Sequence, residues 1–112
     1  AKIYIGSTAI GPDITPACLA PAAKEMSIKA KILRGSTLVW EAETSLGALN
    51  RTLEDLVNYV FRCQDFPHGL ILSTGTGIVP PMDIALAAGD IVEIDVAGVG
   101  ILSNPVVVIP ER

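Results

Sequence analysis

The sequence is poor in most of the residues that announce a function. It has one histidine, His68, and two cysteines, Cys18 and Cys63. The cysteines stand apart, with no Cys-x-x-Cys pair and no histidine-rich cluster, so neither a disulfide framework nor a zinc site is expected. Reduced thiols in a cytoplasmic protein are the expectation instead. Charged residues make up only 18% and aromatics 4%, and eight Lys and Arg against twelve Asp and Glu leave a net charge of −4. With no basic run and few stacking rings, nucleic acid is not an expected partner. No apolar run reaches the ~18 residues of a bilayer span, and the opening "AKIYIGSTAIG" does not have the pattern of a signal peptide, so a membrane is not expected either. Repeats and low-complexity segments are missing too.

Apolar side chain is what the sequence has in quantity. Hydrophobic residues account for 50% of 112 positions, with a mean hydropathy of +0.51. This length makes one domain or a piece of one, able to bury roughly two-thirds of its unfolded surface. The composition excludes a disordered segment. It also leads us to expect buried surface beyond the chain's own core.

Periodicity organises the chain into strands and one helix. Lys2 to Ile5 has the pattern of a short strand, and Gly11-Pro12 and Thr15-Pro16 then enforce extended or turned backbone. In "SIKAKILR", Ile28, Ala30 and Ile32 alternate with Lys29, Lys31 and Leu33, a half-buried strand with a charged outer face. Gly35-Ser36 supplies a turn, and "TLVWEAE" returns as the second strand of a hairpin. Residues 52–63 form the one convincing helix. Thr52 with Asp55 makes an acidic capping box, and Leu53, Leu56, Val57, Val60 and Phe61 form one apolar stripe. "LILS", residues 70–73, reads as a short strand buried on both sides. The last third carries Val92, Ile94 and Val96 on one face and Glu93 and Asp95 on the other, then turns at Gly98-Val99-Gly100 into another strand. One helix and about six strands predict an α+β, mainly β, single domain over residues 1–112.

Three features are candidates for chemistry. In "LILSTGTGIVPP", Thr74 and Thr76 alternate with Gly75 and Gly77. Glycines let backbone amides approach an anion closely, and the threonines add two hydroxyl donors, which suits a carboxylate or phosphate. The stretch is neither a Walker loop nor a Gly-x-Gly-x-x-Gly motif, and a plain structural turn fits it too. Glu41 and Glu43, two apart on a strand, share a face and resemble half of a magnesium site. A solvated strand edge explains them better, since the residues that follow offer only hydroxyls. His68, alone in a loop, is expected to be exposed, and no serine has the setting of a nucleophile elbow.

Taken together, four segments resemble the fumarylacetoacetate hydrolase family, in order and across essentially the whole chain. They are "KIYIGSTAIGP", "VWEAETSLGALNR", "GLILSTGTGIVPP" and "LAAGDIVEIDVAGVGILSNPVV". The last two are fairly specific, through the threonine-glycine loop and a closing hairpin with Gly-Asp, Gly-x-Gly and Asn-Pro-Val elements. The "TGTGIVP" form and the preceding Phe66-Pro67-His68-Gly69 look most like the branch that dehydrates 2-keto-3-deoxy sugar acids such as 2-keto-3-deoxy-arabinonate. Another branch cleaves carbon–carbon bonds of acylpyruvates.

The resemblance implies a mixed β-roll that typically dimerises and a divalent metal, Mg²⁺ or else Mn²⁺ or Ca²⁺, acting on 2-keto acids. It further implies that Lys2 is the active-site lysine, its ammonium stabilising negative charge that develops on the substrate. Thr76, with Thr74 and the amides of Gly75 and Gly77, corresponds to the carboxylate-binding loop. The family's metal ligands, a Glu-x-Glu pair and an aspartate, lie upstream of that lysine. Glu41 and Glu43 lie downstream and take no metal role, so no metal ligand is assigned in this chain. The expectation is therefore the C-terminal part of a longer catalytic domain, completed by an N-terminal part of the same protein and inactive alone. A non-catalytic binding or assembly module of the same fold is the alternative.

Overall fold

Alternation in the sequence becomes a four-stranded antiparallel sheet in the computed structural model, which describes residues 5–110. Strands β1 (Ser27–Arg34), β2 (Thr37–Ser45), β3 (Asp90–Val96) and β4 (Gly100–Pro105) lie in the order β2-β1-β3-β4. The β1–β2 hairpin closes on Gly35-Ser36, with Gly35 at φ 61°. Glycine leading a two-residue connection matches the right-handed twist of the flanking strands. A register shift between Ile32 and Leu33 marks a bulge in this pair. The β3–β4 hairpin turns through Gly98, at φ 76°, where a Cβ would overlap the Pro21 ring. Both its conformation and its neighbour therefore demand glycine.

Pairing sorts the sheet into two faces. Trp40, Ile32 and Val92 stand side by side, as do Ala42, Ala30, Ile94 and Leu102, on the apolar face. On the other face Glu43, Lys29 and Asp95 form one row, and Glu41, Lys31, Glu93 and Ser103 the next. Adjacent rows across strands alternate in sign at β1, which suits antiparallel neighbours.

Helix α1 (Leu53–Val60) begins as expected: Thr52 Oγ1 accepts from the Asp55 amide at 3.1 Å, and the Asp55 carboxylate accepts from the Thr52 amide at 3.3 Å. It stops three residues before Cys63, the end expected from the sequence, and Phe61 caps it. Phe61 then meets Phe66 edge to face, ring centroids 5.4 Å apart, which folds the chain back after the helix.

Two expectations fail here. Residues 70–73 are not a strand: they run as irregular backbone, and Ile71 is 70% exposed. No strand among the described residues offers them a pairing partner, so a continuous apolar run by itself does not make a strand. The described residues accordingly hold four strands rather than about six. The Lys2–Ile5 strand falls outside the described residues except for Ile5, which lies in a turn.

The core is small. Among the described residues Ile32 is the only buried apolar side chain and Asp90 the only buried charged one. No strand packs closely on α1, none of whose residues is buried. The accessible surface is 9129 Å², where a compact chain of this mass exposes about 5,900 Å². The radius of gyration, 15.9 Å, likewise exceeds the roughly 13 Å of a compact domain this long. The surplus is about 3,200 Å², and large apolar side chains such as Ile14, Ile71, Val79 and Met82 contribute to the exposed surface. No helix among the described residues is long and apolar enough to cross a membrane.

Candidate carboxylate-binding loop

The threonine-glycine loop hangs between two fixed points. Upstream, Gly69 at φ 81° closes a turn by donating its amide to Phe66 O at 2.9 Å. Downstream, the Arg34 guanidinium grips Asp90 as a fork, Nε to Oδ1 at 2.8 Å and Nη2 to Oδ2 at 2.9 Å. Arg34 Nη2 also donates to Ala85 O at 3.1 Å, and the Ala87 amide to Asp90 Oδ2 at 2.8 Å. One ion pair thus fastens residues 85–90 to the end of β1. Hydrogen bonds from Arg34 and from the Ala87 amide hold the Asp90 carboxyl down at about 2, well below the usual carboxylate range.

Between those points the loop has a structure of its own. Gly75 takes φ 88°, which favours glycine. Thr76 Oγ1 accepts from the Ile78 amide and donates to Ile78 O, both at 3.0 Å, so the hydroxyl staples the bend. Gly77 does not have positive φ; it lies against the Thr44 side chain at the end of β2. The amides of Thr74, Gly75, Thr76 and Gly77 donate to no acceptor among the described residues. A short run of unpaired N–H groups on exposed backbone is suited to an anion.

Of the predicted site residues, Thr74, Gly75, Thr76 and Gly77 are brought into one bend, while Lys2 lies outside the described residues. Glu41 and Glu43 do share a face, as their spacing predicts, but lysines occupy it with them. Lys29 reaches Glu43 at 3.7 Å and Lys31 reaches Glu93 at 2.6 Å. The Lys31–Glu93 hydrogen bond raises the lysine's pKa and lowers the glutamate's. These residues and Asp95 line an open groove of about 520 Å³, in which two lysines stand among four carboxylates. No group of three His, Cys, Asp or Glu among the described residues could hold a metal ion. His68 is exposed, as are the thiols of Cys18 and Cys63.

Sequence reasoning missed Arg34, Asp90 and Thr44. The sequence marks the first two only as strand ends, Arg34 closing β1 and Asp90 opening β3, and the β1–β3 register sets them opposite. Nothing in the sequence pairs Thr44 with Gly77.

Comparison with known proteins follows the same outline. Residues 1–107 match the family described as fumarylacetoacetate (FAA) hydrolase C-terminal. The chain is 36% identical over 105 residues to 2-dehydro-3-deoxy-D-arabinonate dehydratase of Saccharolobus solfataricus, covering 94% of this chain and 35% of that protein. It is 30% identical to the probable 2-keto-3-deoxyxylonate dehydratase of Haloferax volcanii, covering 95% and 37%. A solved hexagonal crystal form of 2-keto-3-deoxyarabinonate dehydratase superimposes with a TM-score of 0.89 at 35% identity, over 94% of this chain and 36% of that one. A 2-keto-3-deoxy-D-arabinonate dehydratase complexed with magnesium and 2,5-dioxopentanoate superimposes with a TM-score of 0.82 at 34% identity, over 87% and 34%. The chain therefore spans about a third of the length of these relatives. With the match running over nearly every residue, the chain belongs to the fumarylacetoacetate hydrolase family, in the region its C-terminal description covers.

Proposed function

We propose that this chain is the carboxylate-binding portion of a magnesium-dependent lyase that removes water from 2-keto-3-deoxy sugar acids. The similarity to sugar-acid dehydratases along almost the whole chain carries the reading, and the four loop amides that have no acceptor among the described residues support it. In this reading the amides of residues 74–77 hold the substrate carboxylate. The Lys2 ammonium then lies beside the substrate oxygen on which negative charge develops. A fixed cation in a site shielded from water stabilises such charge far better than solvent does. A proton leaves the carbon next to the keto group, and the hydroxyl one carbon further departs as water.

No group of described residues fits a metal centre; in this reading the magnesium ligands belong to the rest of the protein, and no step is assigned to the ion. The remaining two-thirds of the relatives' architecture, as an N-terminal part of the same protein, supplies those ligands and covers the apolar surface. The chain alone is inactive. The protein assembles as a homodimer in the cytoplasm, in keeping with exposed sheet edges that recruit partners and with unpaired, exposed cysteines. Carbon–carbon cleavage of acylpyruvates, the other chemistry of the family resemblance, has no counterpart in the names of these relatives.

The test is turnover by the complete protein with Mg²⁺, offered 2-keto-3-deoxy-pentonates and acylpyruvates in parallel. Loss of water from the sugar acid is expected, with Lys2→Ala lowering kcat by roughly a hundredfold or more and Thr76→Val mainly raising KM. Cleavage of the acylpyruvate alone, or full turnover by Lys2→Ala, overturns the reading.

A further inference from the structure

The two glycines of the loop do different work. Gly75 has φ 88° and nothing within 4 Å of where a Cβ would stand, so glycine serves the backbone conformation there. Gly77 has an ordinary φ, open to any residue. A Cβ built on it would stand 3.2 Å from Thr44 Oγ1 and 3.8 Å from both Thr44 Cβ and Cγ2. At 77 the crowding comes from a neighbour, which would have to give by a few tenths of an ångström to admit a Cβ, and that neighbour is one side chain on the sheet.

We infer that Thr44 is a positioning residue: its side chain is the seat on which Gly77 rests, and it sets where the loop amides stand. Little else on the sheet holds the loop there. Residues 70–80 make no backbone hydrogen bond to any strand among the described residues. Thr76 bonds only to Ile78. The next tie to the sheet is the Arg34 bond to Ala85 O, beyond the end of the loop. Thr44, by contrast, is half-buried near the end of β2 and paired across the hairpin with Ile28. Branching at Cβ restricts its rotamers, so the wall it presents to the loop is stiff.

The inference rests on the reading of residues 74–77 as the carboxylate cradle. A cradle that shifts by a few tenths of an ångström weakens each charge-assisted hydrogen bond to the carboxylate, which appears in KM before kcat.

The experiment uses the complete enzyme with Mg²⁺ and a 2-keto-3-deoxy-pentonate, together with hydrogen exchange of the amides of residues 74–78. Thr44→Ala removes the wall: KM is expected to rise roughly tenfold with kcat nearly unchanged, and exchange at 74–78 to quicken. Thr44→Val restores the wall and brings KM and exchange back toward the wild-type values. Gly77→Ala also raises KM, and adding Thr44→Ala to it returns part of the loss, because the room for the new methyl is then present. Unchanged KM and exchange in Thr44→Ala, or strictly additive effects in the double variant, overturn the inference. If the wild-type protein does not act on 2-keto acids, the functional reading fails by itself. The exchange measurements still decide the seat.

Discussion

At the scale of single residues, Asp90 is the most strongly constrained group in the described chain. It is 1% exposed, gripped by the Arg34 fork, and its pKa is lowered to about 2 from 3.8. A carboxyl that binds a proton less readily when folded stabilises the fold above its unfolded pKa and loses that contribution on acidification. The contribution is therefore complete above about pH 4 and disappears as pH falls toward 2. Glu93, lowered by Lys31, adds a change of the same sign. Thermal melts of wild type and Asp90→Asn across pH 7 to 2 should differ most at neutral pH, and the two Tm curves should converge through that acid window. Parallel curves would mean the ion pair adds nothing that depends on the carboxylate. The aspartate was visible in the sequence as part of a Gly-Asp pair, yet its partner was not. Fifty-six positions separate it from Arg34, and only the β1–β3 register makes them neighbours.

At the scale of elements, local rules held where the partner of each group lies within a few residues. The Thr52–Asp55 capping box formed because both halves belong to one turn. Thr52→Ala should destabilise α1 by about 1 kcal/mol. Since no strand packs closely on that helix, the loss should appear as faster hydrogen exchange over 53–60 with little change in the sheet. Ile32 is the contrasting case, central in the sheet beside Trp40 and Val92 and 2% exposed. Ile32→Ala should lower unfolding stability by roughly 2–5 kcal/mol in a denaturant titration. Residues 70–73 mark where element-level reading stopped. Their apolar run suits a buried strand, but strand formation depends on a pairing neighbour, and none is within the described residues.

At the scale of the whole molecule, the surface is too large for the mass. About 3,200 Å² beyond a compact chain's expectation is the order of surface that obligate interfaces bury. The relatives, nearly three times as long, have the chain length to cover it. The 112-residue chain by itself should bind a hydrophobic dye strongly and self-associate at micromolar concentration. Adding the remaining part of the protein as a separate polypeptide should suppress both. A monodisperse monomer with weak dye binding would contradict this.

The sequence by itself determined the family, the two hairpins, the helix with its cap and the composition of the loop. Each is written in residues adjacent in the chain or spaced by a fixed period of two or of 3.6. Tertiary structure decided that Arg34 meets Asp90, that Gly77 rests on Thr44, and that Glu41 and Glu43 share their face with lysines. Those outcomes depend on strand register and loop closure over dozens of residues, which no local pattern encodes.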